Sequence, residues 1–271
     1  MRKAADLWKA RVRAVDRARK AARRGEPEGL HDLRVALRRA AATAAALGAK
    51  SLSREAKVIA RSLSAERQLQ VDRELLARVG KLGYLSPDAT TALAARWEKL
   101  AERGGRPIAR AADGRAVRGL MKDLEKLARR RRDDAVERLE RARRKAEATF
   151  VESLEGKADD VMHRHRIAVK KARYLAEDLA ALGVRRFTSQ IEREKALQDA
   201  LGRWNDLGLF SRRLAGSRDE AEERGAVTLA AEIEHLLAAL EPTIAAIRRS
   251  AIEISKAPPP KIVPLRRSAS R

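Results

Sequence analysis

Apolar residues recur at helical spacing along most of the chain, and the pattern is interrupted mainly at glycine and proline. A first helix is predicted over residues 4–24, where charge alternates with Ala and Val until Gly25 and Pro27. A second spans 30–47 and is closed by Gly48. Shorter helices are predicted over 53–63 and 66–79, before a loop marked by Gly80, Gly83 and Pro87. Another runs from about 89 to 102 and ends at Gly104-Gly105, with Pro107 beyond. A long charged pattern covers 115–155, with a break expected near the Arg129–Arg132 run, and Gly156 ends it. Residues 160–182 form the next helix, stopped by Gly183, and helices over 188–201, 204–215 and 219–253 complete the series. The tail, residues 256–271, holds four Pro, five Lys or Arg and no acid, which predicts a disordered basic segment.

Composition agrees with an all-α reading. Aromatic residues make up only 3%, and Ala, Leu, Glu, Lys and Arg dominate, which disfavours a β-sandwich. Cysteine is absent, so disulfides, thiolate nucleophiles, Cys-ligated zinc and iron–sulfur clusters are excluded. No apolar run approaches the length of a membrane span, and the first residues lack a secretory apolar stretch. A cytoplasmic protein is therefore expected. Its 61 Lys and Arg against 38 Asp and Glu leave a net charge of +23, which implies a polyanionic or acidic partner.

The chain also matches itself. Leu30-His31-Asp32-Leu33-Arg34-Val35-Ala36-Leu37-Arg38-Arg39 recurs as Met162-His163-Arg164-His165-Arg166-Ile167-Ala168-Val169-Lys170-Lys171, a shift of 132 residues. A weaker match, at a shift of 138, aligns Lys57 with Lys195, Leu63 with Leu201 and Arg67 with Asn205. Two similar halves are expected, about 1–105 and 114–255, joined near 103–114 within one helical domain over 1–255.

On a wheel of 100° per residue with His31 at zero, Arg34 falls at about 300° and Arg38 at about 340°. His163, Arg166 and Lys170 repeat those positions, and Arg173 and Tyr174 join them within an arc of about 100°. Leu33, Leu37, Ala40, Ala44 and Leu47 occupy the opposite side, as do Val169, Ala172, Ala176 and Leu179. Each copy thus pairs an apolar back with a basic front. A solvated helix face is the competing reading, but such faces usually mix acids with bases. The first stripe has no acid, the second has only Glu177, and the same order of His and cations occurs twice.

These motifs, L-H-x-L-R-x-x-x-R-R and M-H-x-x-R-x-x-x-K-K-x-R-Y, precede K-x-L-Q-x-x-L-G-x-x-N-D at residues 195–206. Together they resemble the CHAD family (conserved histidine α-helical domain) over roughly residues 4–253. The resemblance implies two similar antiparallel helical bundles around a basic central groove or pore. It also implies binding of inorganic polyphosphate and association with polyphosphate granules. The residues it implicates are His31, Arg34, Arg38 and Arg39 in the first half, and His163, Arg166, Lys170, Lys171, Arg173 and Tyr174 in the second. Lys57 and Lys195 join them by the weaker match. Two positions depart from the family pattern: Ala41 stands where a basic residue is usual, and Arg67-Gln68 replaces an Arg-Asp pair.

Polyphosphate has no bases to read, so a site for it needs cations in a row. Arg supplies forked hydrogen bonds and Lys a point charge. His31 and His163 can contact phosphate when protonated, or orient the bundle through a hydrogen bond. His165, on the apolar side, and His235 are read as structural. No carboxylate set for metal-assisted phosphoryl transfer accompanies the stripes, and no phosphate-binding loop motif is present. A non-catalytic protein without cofactor or metal is expected. Nucleic acid is the rival partner, since the charge and the arginine run suit phosphate backbones, but aromatic residues for base stacking are few. Trp8, Trp97 and Trp204 are expected in the core. A helical adaptor for an acidic protein is the third reading.

Overall fold

A computed structural model describes residues 2–26, 28–104, 115–129, 134–152, 159–184 and 187–256. Among them the chain forms ten helices and no strand, so the all-α expectation holds. They are α1 (Arg2–Arg23), α2 (Gly29–Ala46), α3 (Lys50–Ser62), α4 (Ser64–Lys81), α5 (Pro87–Gly104), α6 (Arg115–Arg129), α7 (Ala135–Glu152), α8 (Asp159–Ala181), α9 (Thr188–Glu223) and α10 (Val227–Lys256). The basic tail beyond residue 256, the arginines at 130–132 and most of the expected join at 103–114 lie outside the described residues.

Glycine ends α2 as its pattern predicts. Gly48 takes a φ of 82°, a left-handed conformation that favours glycine, and Ala49 N–H then reaches back to the Ala44 carbonyl at 2.8 Å. The last third of the chain departs from expectation. The sequence pattern predicts breaks near Gly202 and Gly216, yet α9 runs through both for 36 residues. A glycine inside a helix keeps its backbone hydrogen bonds and costs only about 1 kcal/mol relative to Ala. The buried Leu197, Ala200, Leu201, Phe210 and Leu214 on the same helix outweigh that cost. The chain turns instead at Gly225, where φ is 70°.

The helices fall into two compact units. Unit 1 is built from residues 1–63, 108–198 and 254–271, and unit 2 from 64–107 and 199–253. Each unit draws on both halves of the sequence. The chain leaves unit 1 after Leu63 and again after Gln198, and α9 contributes to both units.

In unit 1, α1 packs on α2 and α6, α2 on α3, and α7 on α8, with α2 also against α8. Its core is rich in small residues: Ala40 and Ala44 are fully buried beside Leu33, Leu37, Leu120, Leu124, Leu139, Leu175 and Leu179. Small side chains bring helices close together. At Gly29, a Cβ would lie 2.5 Å from the backbone nitrogen of Ala22, so only glycine fits there. Trp8 is buried in this core.

Unit 2 packs α4 against α5, and its core includes residues of α9 and α10. Trp97 is fully buried, meets Phe210 edge-on at 5.8 Å and donates from Nε1 to Ser217 Oγ at 3.1 Å. Ser86 caps α5 through Ala89 N–H, and Glu232 of α10 accepts from both the Ser86 N–H at 2.7 Å and its hydroxyl at 3.0 Å. Trp204 is half-buried, which differs from its expected core position.

Candidate functional site

Helices α2 and α8 carry the two stripes, and both belong to unit 1. Their apolar backs are buried as the wheel predicts: Leu33, Leu37, Ala40, Ala44, Val169, Ala172, Ala176 and Leu179 all lie in the interior. On the fronts, His31, Arg34, Arg38, Arg166 and Lys170 are half-buried and His163 is exposed. A half-buried cation keeps its head at the surface while its stem covers apolar neighbours. His165, placed by the wheel on the apolar side, is buried and its Nε2 meets Ser255 Oγ at 2.9 Å. His235 is exposed.

Arg39, Arg173 and Tyr174 sit in a network between α2 and α8. The Glu177 carboxylate takes Arg173 Nη1 at 2.8 Å on Oε1 and Arg39 Nη2 at 3.0 Å on Oε2. The Tyr174 ring has the Arg39 guanidinium 5.3 Å from its centroid and that of Arg173 at 5.1 Å. Arg173 also donates to Gln198 Oε1 at 3.1 Å. Arg173 and Tyr174 are buried, at 8% and 5% exposure, so they shape the site from beneath its surface. Ala41, where the family pattern has a cation, is packed into the core.

A second tie lies beneath this network. Asp178 is fully buried on α8 and accepts from Thr43 Oγ1 of α2 at 2.5 Å and from Arg11 of α1. Burial pushes its carboxyl above the ordinary range, against the pull of Arg11 and the Thr43 hydroxyl. Beside Arg11, α1 and α2 enclose a cleft of about 540 Å³ rimmed by Arg17, Lys20, Arg24 and Arg39. Arg39 falls about 80° from His31 on the wheel, so it points to this flank and not along the stripe.

Lys57 on α3 and Lys195 on α9 are exposed, and Lys171 on α8 is half-buried. Burial lowers the Lys171 pKa, and repulsion from Lys57 and from Lys145 of α7 lowers it further. One residue before Lys195, Glu194 receives Arg143 Nη2 at 2.8 Å. Arg143 is itself 1% exposed, with Glu147 at 2.5 Å on its other nitrogen and the Phe187 ring at 4.4 Å. Burial raises the Glu194 pKa to about 7, with Arg143 opposing and Glu147 adding to the rise.

All twelve residues singled out in the sequence lie in unit 1. The charge is divided the same way. Among the described residues unit 2 holds 14 Lys and Arg against 16 Asp and Glu, a net charge of −2, whereas unit 1 holds 35 against 19, a net charge of +16. Arg11, Lys145 and Asp178 were not apparent from sequence. Arg11 and Asp178 pair across 167 residues, beyond the reach of any local periodicity. Lys145 had a signal: shifted by 132, it aligns with Arg13 one helix before the first motif. Among the described residues no group of three or more potential metal ligands occurs, and no helix is long and apolar enough to cross a membrane.

The sequence model of the CHAD domain matches residues 6–215. A crystal structure of the CHAD domain from the plant Ricinus communis superposes with a TM-score of 0.69 at 22% identity, covering 96% of this chain and 93% of that one. At that identity the likeness concerns the fold. Comparison with curated proteins gives no match.

Proposed function

The chain belongs to the CHAD family, and on that premise we propose that unit 1 binds inorganic polyphosphate and performs no chemistry on it. CHAD domains are associated with polyphosphate-related proteins. The observation that carries the reading is the division of charge: among the described residues, the excess of cations sits in the unit that contains both stripes. A flexible chain with about one negative charge per phosphate needs many cations held by a fixed scaffold. Helices α2 and α8, which pack together, supply Arg34, Arg38, Arg166 and Lys170 from elements 132 residues apart. The expected repeat, with equivalent stripes facing one groove, belongs to this proposal, and so does recruitment to polyphosphate granules in the cytoplasm.

The experiment is competition at physiological salt between long-chain polyphosphate and duplex DNA or RNA at equal phosphate concentration. Polyphosphate is expected to win. Equal or tighter binding of nucleic acid moves the assignment to the rival reading. Incubation with Mg²⁺ or Mn²⁺ is expected to leave the polymer intact. Steady phosphate release that a stripe substitution abolishes would overturn the non-catalytic assignment.

A further inference from the structure

The cleft between α1 and α2, about 540 Å³ in volume, takes no part in the polyphosphate reading. The two helices run side by side in opposite directions. They come together at Ala22 and Gly29 near the turn that joins them, and at the far end Arg11 and Thr43 both bond to Asp178. Between these closures the facing side chains are small, and the surface sinks. The floor is apolar, made by Ala14, Ala18, Ala21, Val35 and Ala36. Ala18 and Ala36 are buried and the other three are half-buried.

The two rims differ. On α1 stand Arg17, Lys20 and Arg24, spaced to share one side of the helix. Lys20 shares Asp16 with Arg19, and Arg24 meets Glu26. Arg17 is exposed, and among the described residues no carboxylate pairs with it. On α2 stands Asp32, also exposed, and among the described residues no cation pairs with its carboxylate. An unpaired cation and an unpaired acid thus flank one apolar floor.

This chemistry does not suit polyphosphate, which gains nothing from alanine and is repelled by Asp32. It suits a molecule with a flat apolar body, an anionic group on one side and a hydrogen-bond donor on the other. A nucleoside triphosphate has those three parts, and the amine of a base such as adenine donates to a carboxylate. Clefts that hold small molecules run from about 300 to 1,000 Å³, so the size fits as well. We propose that the α1–α2 cleft binds a nucleoside triphosphate with an amine-bearing base. The base lies on the alanine floor, its amine donates to Asp32, and the phosphates meet Arg17 and Lys20, where Arg supplies a fork and Lys a point charge.

The test is calorimetry on the full-length protein at physiological salt with ATP, ITP and inorganic tripolyphosphate. ITP carries an oxygen in place of the adenine amine, and tripolyphosphate lacks the base. ATP is expected to bind about tenfold more tightly than either. Ala21→Met fills the floor and should reduce ATP to the affinity of tripolyphosphate. Asp32→Ala should bind ATP and ITP alike. Arg17→Ala should weaken ATP about tenfold and leave long-chain polyphosphate within about twofold. Arg17 and Asp32 are exposed, so these two variants carry the test if Ala21→Met fails to keep its helical content. Tripolyphosphate binding as tightly as ATP overturns the proposal. So does ATP affinity that Arg17→Ala and Asp32→Ala leave unchanged. A protein that binds ATP in this way but not polyphosphate refutes the reading of the stripes and leaves the cleft assignment standing.

Discussion

Among the described residues unit 1 carries +16 and unit 2 carries −2, although one chain weaves through both and α9 contributes to each. The units differ in balance and not in whether charges pair. In unit 2 Arg213 Nε pairs with the buried Asp72 at 3.1 Å, Arg218 with Glu234 at 2.5 Å, and Arg96 with Glu220. In unit 1 Arg39 pairs with Glu177, Arg11 with Asp178 and Arg143 with Glu194, and further pairs lie within single helices, but its cations still outnumber its acids widely. The cores differ to match. Unit 2 is centred on Trp97 and Phe210, whereas unit 1 packs helices closely over alanine. The contrast teaches that the chain's net charge is not spread evenly: it gathers in the unit that carries the stripes, while the other unit stays near neutrality.

The sharpest way to break the comparison is to remove paired cations from each unit. Replacing Arg34 and Arg38 by Ala should weaken long-chain polyphosphate binding by about 2–4 kcal/mol and flatten its salt dependence. Replacing Arg166 and Lys170 should do the same. Arg248→Ala with Arg249→Ala, in unit 2, should change affinity by less than about twofold. Fluorescence anisotropy across a salt series reads all three. A comparable loss from the control pair would mean diffuse attraction with no defined face.

Next in size are effects on stability. Gly29→Ala should destabilise unit 1 by about 1–3 kcal/mol, because the new Cβ meets the α1 backbone. Glu194→Gln tests a titration. Its carboxyl sits higher in the folded protein than in the unfolded chain, so its contribution is present at low pH and fades as pH rises from about 4.5 through 7. The substitution should flatten that decline by about 1–2 kcal/mol, read as the difference between two denaturation series against pH. The smallest effect belongs to unit 2: Gly216→Ala adds a methyl to open space on a helix and should stabilise by about 0.5–1 kcal/mol. A destabilised Gly216→Ala protein would show that α9 needs flexibility there.

The stripes were legible because their signal is local. Leu33, Leu37, Ala40 and Ala44 recur at helical spacing and are buried, which leaves the basic front where the wheel places it. The family was legible for the same reason, since its motifs are short runs on single helices. The division into units was not, because residues 1–63 and 108–198 meet only through long-range packing. Neither was the role of Arg39. Its place in the motif suggests a phosphate contact, and only the fold reveals Glu177 and Tyr174 across from it. The glycines of α9 misled because a breaker is a statistical preference worth about 1 kcal/mol, which buried leucines override.

Glu177 already occupies the place that a phosphate would take on Arg39 and Arg173. On the polyphosphate reading, binding at those two guanidiniums is an exchange: one carboxylate leaves as one phosphate arrives, and few mobile counterions are released. A lone chloride or acetate gains little by evicting a tethered competitor. A polymer gripped elsewhere on the same unit arrives at high effective concentration and can drive the swap. On the polyphosphate reading, the internal acid is a threshold that long polyanions pass and small ones do not.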